Sequence, residues 1–256
     1  SNLTAKIAEY AVIVAVIRYI GTISVHPSER GRMNFLSHYY FERHSRNPEL
    51  VLGSVLPDLI RNADRDINIQ PQRYEGRFGN NPKLLSIYQG WVRHVETDRY
   101  FHNSSFFYHH THELKVLLMP AVEGTPIRPS FLSHIALELL LDHLLLHNKL
   151  VHESDFYEYL AASDREMVNR FLSLCEVEDT LFFFTYFNSF LRAQYVGSYR
   201  EFDQLTNAMI AICRRLWDVS LSRPQQERIT AVITDYTAHL GNGFLVIFDE
   251  IRSLLS

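Results

Sequence analysis

Four stretches of the chain carry side chains whose types and spacing suit metal chemistry. His94, Asp98 and His102 follow one another at intervals of four in Gly90-Trp-Val-Arg-His-Val-Glu-Thr-Asp-Arg-Tyr-Phe-His102. Residues four apart on a helix share one face a turn apart, so the three can address one cavity. His134, Glu138 and Asp142 repeat the interval, with Ile, Ala and Leu between them. A carboxylate buried in so apolar a helix is costly unless it is paired or bound to a metal. The remaining stretches are Met33-Asn-Phe-Leu-Ser-His38 and Gly53-Ser-Val-Leu-Pro-Asp58.

Two helices facing each other with such residues can build a mixed imidazole and carboxylate site in a helical bundle. That donor set suits Mn, Fe or Zn, and the absence of a nearby cysteine argues against a thiolate site. For His94 and Asp98, ligation is favoured over a solvated helix face. For Glu138 and Asp142 two readings stand side by side, ligation or ion pairing with a core arginine such as Arg93 or Arg99. His143 and His147 either orient carboxylates or lie on the surface, whereas His109, His110 and His112 read as a helix surface. Phe182 to Phe187 reads as core or as the wall of a hydrophobic groove.

The elements that must position these residues are helical. From Met33 onward apolar residues recur at i, i+3, i+4 and i+7, with breaks at Asn47-Pro48, Gly79 to Pro82, Gly124 to Pro129, Gly197 and Pro224. The period predicts an all-α chain, a single multi-helix bundle with helices near 34–44, 48–62, 83–103, 105–122, 130–150, 153–173, 178–195, 199–219 and 224–254. No segment alternates as a strand does. Segment 63–82 is the longest polar loop, a length often tied to function. Residues 1–32 read as an extension helix and linker ahead of one domain over 33–256. The apolar run from Ala11 to Ile23 is interrupted by Arg18 and falls short of the roughly 20 residues that a membrane span requires.

Composition narrows the classes. The 256 residues are 46% hydrophobic, enough to bury a sizeable core, and 25 basic side chains against 29 acidic ones leave no basic stripe for nucleic acid. Of 13 histidines, only His26 and His239 fall outside the stretch from His38 to His152. Cys175 and Cys213 stand in no metal or redox spacing, which fits a reduced, cytoplasmic setting.

The motifs also carry a resemblance. Met33 to His38, Gly53 to Asp58, His94 with Asp98, and Glu138 to Leu145 resemble, in order, the signature segments of bacterial acyl carrier protein phosphodiesterases, with Glu138 where the family has an Asp. The likeness extends over roughly residues 33–160. It implies an HD-like helical fold and a divalent metal, usually manganese, that serves release of 4′-phosphopantetheine from the carrier protein, with His38, Asp58, His94, Asp98 and Asp142 at the site. The same residues resemble zinc-dependent phospholipase C-like proteins, whose Gly-x-x-x-Pro-Asp motif and Gly-Trp/Tyr-x-x-His-x-x-x-Asp-x-x-x-His helix are matched more closely by Gly53 to Asp58 and Gly90 to His102.

Together these features predict hydrolysis of a phosphodiester, on the carrier protein or on another substrate. His38, Asp58, His94 and Asp98 are the expected ligands, with His134, Glu138 and Asp142 completing a second metal position or orienting the first. Arg93 or Arg99 is expected to hold a phosphate oxygen, and His102 to act as general acid. The rival class is a helical binding or scaffold module without chemistry.

Overall fold

The structure, a computed structural model, describes residues 34–255. The extension expected over residues 1–32 lies outside them. Among the described residues the chain is all-α, as its periodicity predicts. Its contacts group into two compact units, built respectively from His38–Val95 with Val151–Tyr195, and from Glu96–Leu150 with the chain from Val196 onward and residues 34–37.

The first unit contains most of α1 (Phe35–Glu42), α2 (Pro48–Ala63), the first part of α3 (Pro82–His102), α6 (Glu153–Ala162), α7 (Arg165–Leu174) and α8 (Leu181–Ala193). Asn47 caps α2, its side chain accepting from the N–H groups of Glu49 and Leu50, and Pro48 follows where no helical donor is needed. Val51, Leu52, Val55, Leu56, Leu59 and Ile60 bury the inner face of α2, which packs on α6 and α8. Each such side chain contributes roughly 1.5–3 kcal/mol on burial.

Two glycines set the crossing of α2 and α3. A Cβ on Gly90 would fall 2.7 Å from the Cα of Gly53 and against the Leu50 carbonyl oxygen, and one on Gly53 would strike the Ile87 carbonyl oxygen. The backbones therefore touch at a point that only glycine permits.

One helix expected over 153–173 is two, because Ser163 is extended and Asp164 caps α7 by accepting from the N–H groups of Glu166 and Met167. Phe183, Tyr186, Phe187 and Phe190 of α8 are core.

The second unit is organised around α5 (Pro129–His147), which packs on α4 (Ser105–Leu118), α9 (Phe202–Arg214) and α10 (Arg223–Leu240). From Leu132 to Leu146 nearly every residue of α5 is buried, Glu138, Asp142 and His143 included. It is, among the described helices, the one long and apolar enough to cross a membrane, and 78% of its most apolar stretch is buried, as in a core helix. The segment expected as one helix over 224–254 breaks at Gly241, whose φ of +47° suits glycine, into α10 and α11 (Leu245–Leu255). The polar stretch 63–82 contains a 3₁₀ turn, Pro71–Arg77.

Candidate metal centre

In the second unit, His102 at the end of α3 meets His134 and Glu138 on α5. The His102 Nε2 lies 3.0 Å from His134 Nε2 and 3.4 Å from Glu138 Oε1, and His134 Nε2 lies 2.9 Å from the same carboxylate oxygen. Three donor atoms so spaced can all sit about 2.0–2.2 Å from one ion. The other nitrogen of His102, Nδ1, is 2.7 Å from the Asp98 carbonyl oxygen. A carbonyl only accepts, so Nδ1 carries the proton and the Nε2 lone pair faces His134 and Glu138, the orientation that a metal-binding imidazole adopts.

Local chemistry arranges this pocket. Ser104 caps α4 by accepting from the Phe107 N–H, and Phe107 packs edge-on against the His102 and His134 rings, with centroids 4.9 and 4.8 Å away. The side chains of His102 and His134 keep 21% and 20% of their exposure against 8% for Glu138, so the carboxylate is the floor and the imidazoles reach solvent. Burial pulls the His102 pKa down, but the Glu138 hydrogen bond and charge, with Asp98 behind them, outweigh it and raise the value above that of an ordinary histidine.

In the first unit the His38 and His94 rings stack with centroids 3.8 Å apart and planes 17° apart. His94 Nδ1 donates to the Ser54 carbonyl oxygen at 2.8 Å, a contact that the α2–α3 glycine crossing makes possible. Its Nε2 faces Asp58 Oδ1 at 3.8 Å, and both histidines are buried. Asp98 stands one turn beyond His94 on α3. The chain thus holds His, Asp and Glu groups able to bind a metal ion.

Other residues singled out from the sequence have different surroundings. Both Asp142 oxygens accept from the first turn of α1, Oδ2 from the Leu36 N–H at 3.1 Å and Oδ1 from the Ser37 N–H at 2.8 Å and hydroxyl at 2.7 Å. Asp142 therefore caps a helix. Burial drives its pKa up to about 7, against the three hydrogen bonds that favour the carboxylate.

Arg93 is ion-paired with Glu42 at 2.6 Å, while Arg99 is exposed beside Glu96 and Tyr100. Glu138 is paired with histidines, not with either arginine. His102, expected as general acid, has one nitrogen engaged by a carbonyl and the other turned into the donor cluster. His143 is a core histidine bound to the Tyr199 carbonyl, its pKa lowered by burial, and His147 is exposed.

The carbonyls of Ser54 and Asp98, which no side-chain pattern reveals, fix the tautomers of His94 and His102. His109 and His110, which read from the sequence as a helix surface, gather around Glu113; the i+4 spacing of His109 and Glu113 is the signal that marks them. Comparison with family models, curated proteins and solved structures finds no match to this chain.

Proposed function

We propose that the chain is a metal-dependent phosphodiester hydrolase working at the His102, His134 and Glu138 group, with Mn, Fe or Zn as the ion. The observation that carries this reading is the convergence of two Nε2 atoms and one carboxylate oxygen within 2.9–3.4 Å, with both imidazoles partly exposed. A bound ion there would supply a water of lowered pKa and polarise a phosphoryl oxygen. Glu138 fixes both imidazoles, and the Asp98 carbonyl holds His102 in the ligating tautomer. Phe107 shields one side of the pocket. Arg99, three residues before His102, is the arginine available to meet a phosphate oxygen, since Arg93 is engaged by Glu42. His38, His94 and Asp58 offer a further metal position in the first unit.

Acyl carrier protein is the substrate suggested by the order of the four motifs. A phospholipid is the second reading, favoured by the place of Gly53 and Gly90: the glycines that open the two phospholipase C-like motifs are those whose contact seats His94. Elemental analysis of the purified protein, then turnover of bis-p-nitrophenyl phosphate, tests the reaction class. Metal-free, inactive protein from cells grown with Mn, Fe and Zn overturns it. Release of 4′-phosphopantetheine from holo acyl carrier protein, compared with hydrolysis of phosphatidylcholine vesicles, separates the two substrates.

A further inference from the structure

We infer that His109 and Glu113 of α4, with His239 of α10, form a separate binding site for a divalent transition-metal ion of the zinc class. The three belong to the second unit and share no residue with the His102 group. The His109 Nε2 lies 3.5 Å and the His239 Nε2 3.7 Å from the same oxygen, Glu113 Oε2. Ligands of a tetrahedral zinc ion, each about 2.0–2.2 Å from the metal, stand at about this separation from one another.

The carboxylate at the centre is held in place. The Tyr236 hydroxyl donates to Glu113 Oε2 at 2.7 Å, and its oxygen accepts from His110 Nδ1, also at 2.7 Å. A hydrogen-bonded chain behind a ligating carboxylate is the usual means of fixing its orientation. That chain commits His110 to Tyr236, which leaves His109 and His239 as the nitrogen donors.

The three donors are open to an ion arriving from solvent. The side chains of His109 and His239 are 62% and 61% exposed, and that of Glu113 37%. Glu113 and His239 also line an open-sided cavity of about 510 Å³, together with Val116, Leu117, Val232 and Asp235. An ion held by three protein ligands would therefore turn its fourth position toward a space large enough for a small ligand with an apolar body.

The test uses the full chain, stripped with chelator and dialysed against zinc, with bound metal counted in the wild type, in His109→Ala/His239→Ala and in His102→Ala. The double variant should hold one zinc fewer than the wild type, and the same loss of one zinc should appear when it is introduced into His102→Ala. His109 and His239 are exposed, so the variant keeps its fold, which circular dichroism verifies. Copper loaded into His102→Ala should show imidazole nitrogen splitting by electron paramagnetic resonance whose integrated intensity falls by one copper in the triple variant. Tyr236→Phe should weaken zinc binding at this site by about tenfold. Unchanged stoichiometry and spectra in the double variant overturn the site, as does wild-type binding no tighter than about 1 mM. Failure of the His102 group leaves this count intact, so the two readings fail separately.

Discussion

Glu138 governs how the two imidazoles facing it behave. Its charge and hydrogen bond raise the His102 pKa against burial, which acts to lower it. In metal-free protein, protonated His102 therefore contributes stability in full below the ordinary histidine pKa, and that contribution is lost as pH rises through the raised value. Glu138→Gln keeps the shape and removes the charge. The His102 pKa, followed by NMR in the metal-free variant, should fall below its wild-type value, and the variant should lose the bound metal of this centre. An unchanged pKa would mean that Glu138 does not face His102 in solution. The sequence made Glu138 legible because a carboxylate flanked by Leu137 and Leu139 in an apolar helix must have a partner. What it left open was whether that partner is an arginine or a metal ion, because the register of α3 on α5 is a matter of packing.

Helices are positioned by contacts that a periodicity does not show. Asp142 caps α1 through the N–H groups of residues 105 and 106 positions away, so no local pattern points to it as a cap. Asp142→Asn replaces one acceptor with a donor aimed at backbone N–H groups and should cost about 1–3 kcal/mol. The native carboxyl, pushed to about 7 by burial, keeps its proton where the unfolded chain, near 3.8, has released it. Stability from this group is therefore greatest at low pH and declines as pH rises from about 4 to about 7. Urea unfolding across that window should show the decline in the wild type and lose it in Asp142→Asn. The α2–α3 crossing makes an independent prediction. Gly53→Ala and Gly90→Ala each set a methyl group against backbone, and each should destabilise by roughly 1–3 kcal/mol in chemical denaturation. A neutral effect would show that the helices do not touch there. The motifs displayed both glycines, but their reason lies in the meeting of two segments. The same limit explains two helices read as continuous: Asp164 and Gly241 interrupt them by a cap and by a positive φ, without a polar stretch long enough to break the period.

At the scale of the whole molecule the all-α class of the described residues was legible, and the grouping of helices was not. Residues 38–95 fold with 151–195, and 96–150 with the chain from 196, so each unit is assembled from segments interleaved along the sequence. Both sets are helical, and long-range packing separates them. The division bears on how metal binding is felt. The His102, His134 and Glu138 group ties the last turn of α3 to α5 inside the second unit. An ion that binds only the folded state stabilises it by about 2.7 kcal/mol at a free concentration one hundred times Kd. Chelator should therefore lower the unfolding temperature by several degrees. Hydrogen exchange should locate the effect: on metal removal, amides of α4, α5 and the end of α3 should exchange faster, with α2, α6 and α8 protected as before when His38, His94 and Asp58 hold no ion. Faster exchange in α2 and around His94 as well would place a second ion in the first unit. Equal exchange everywhere, with and without chelator, would show that neither group binds metal.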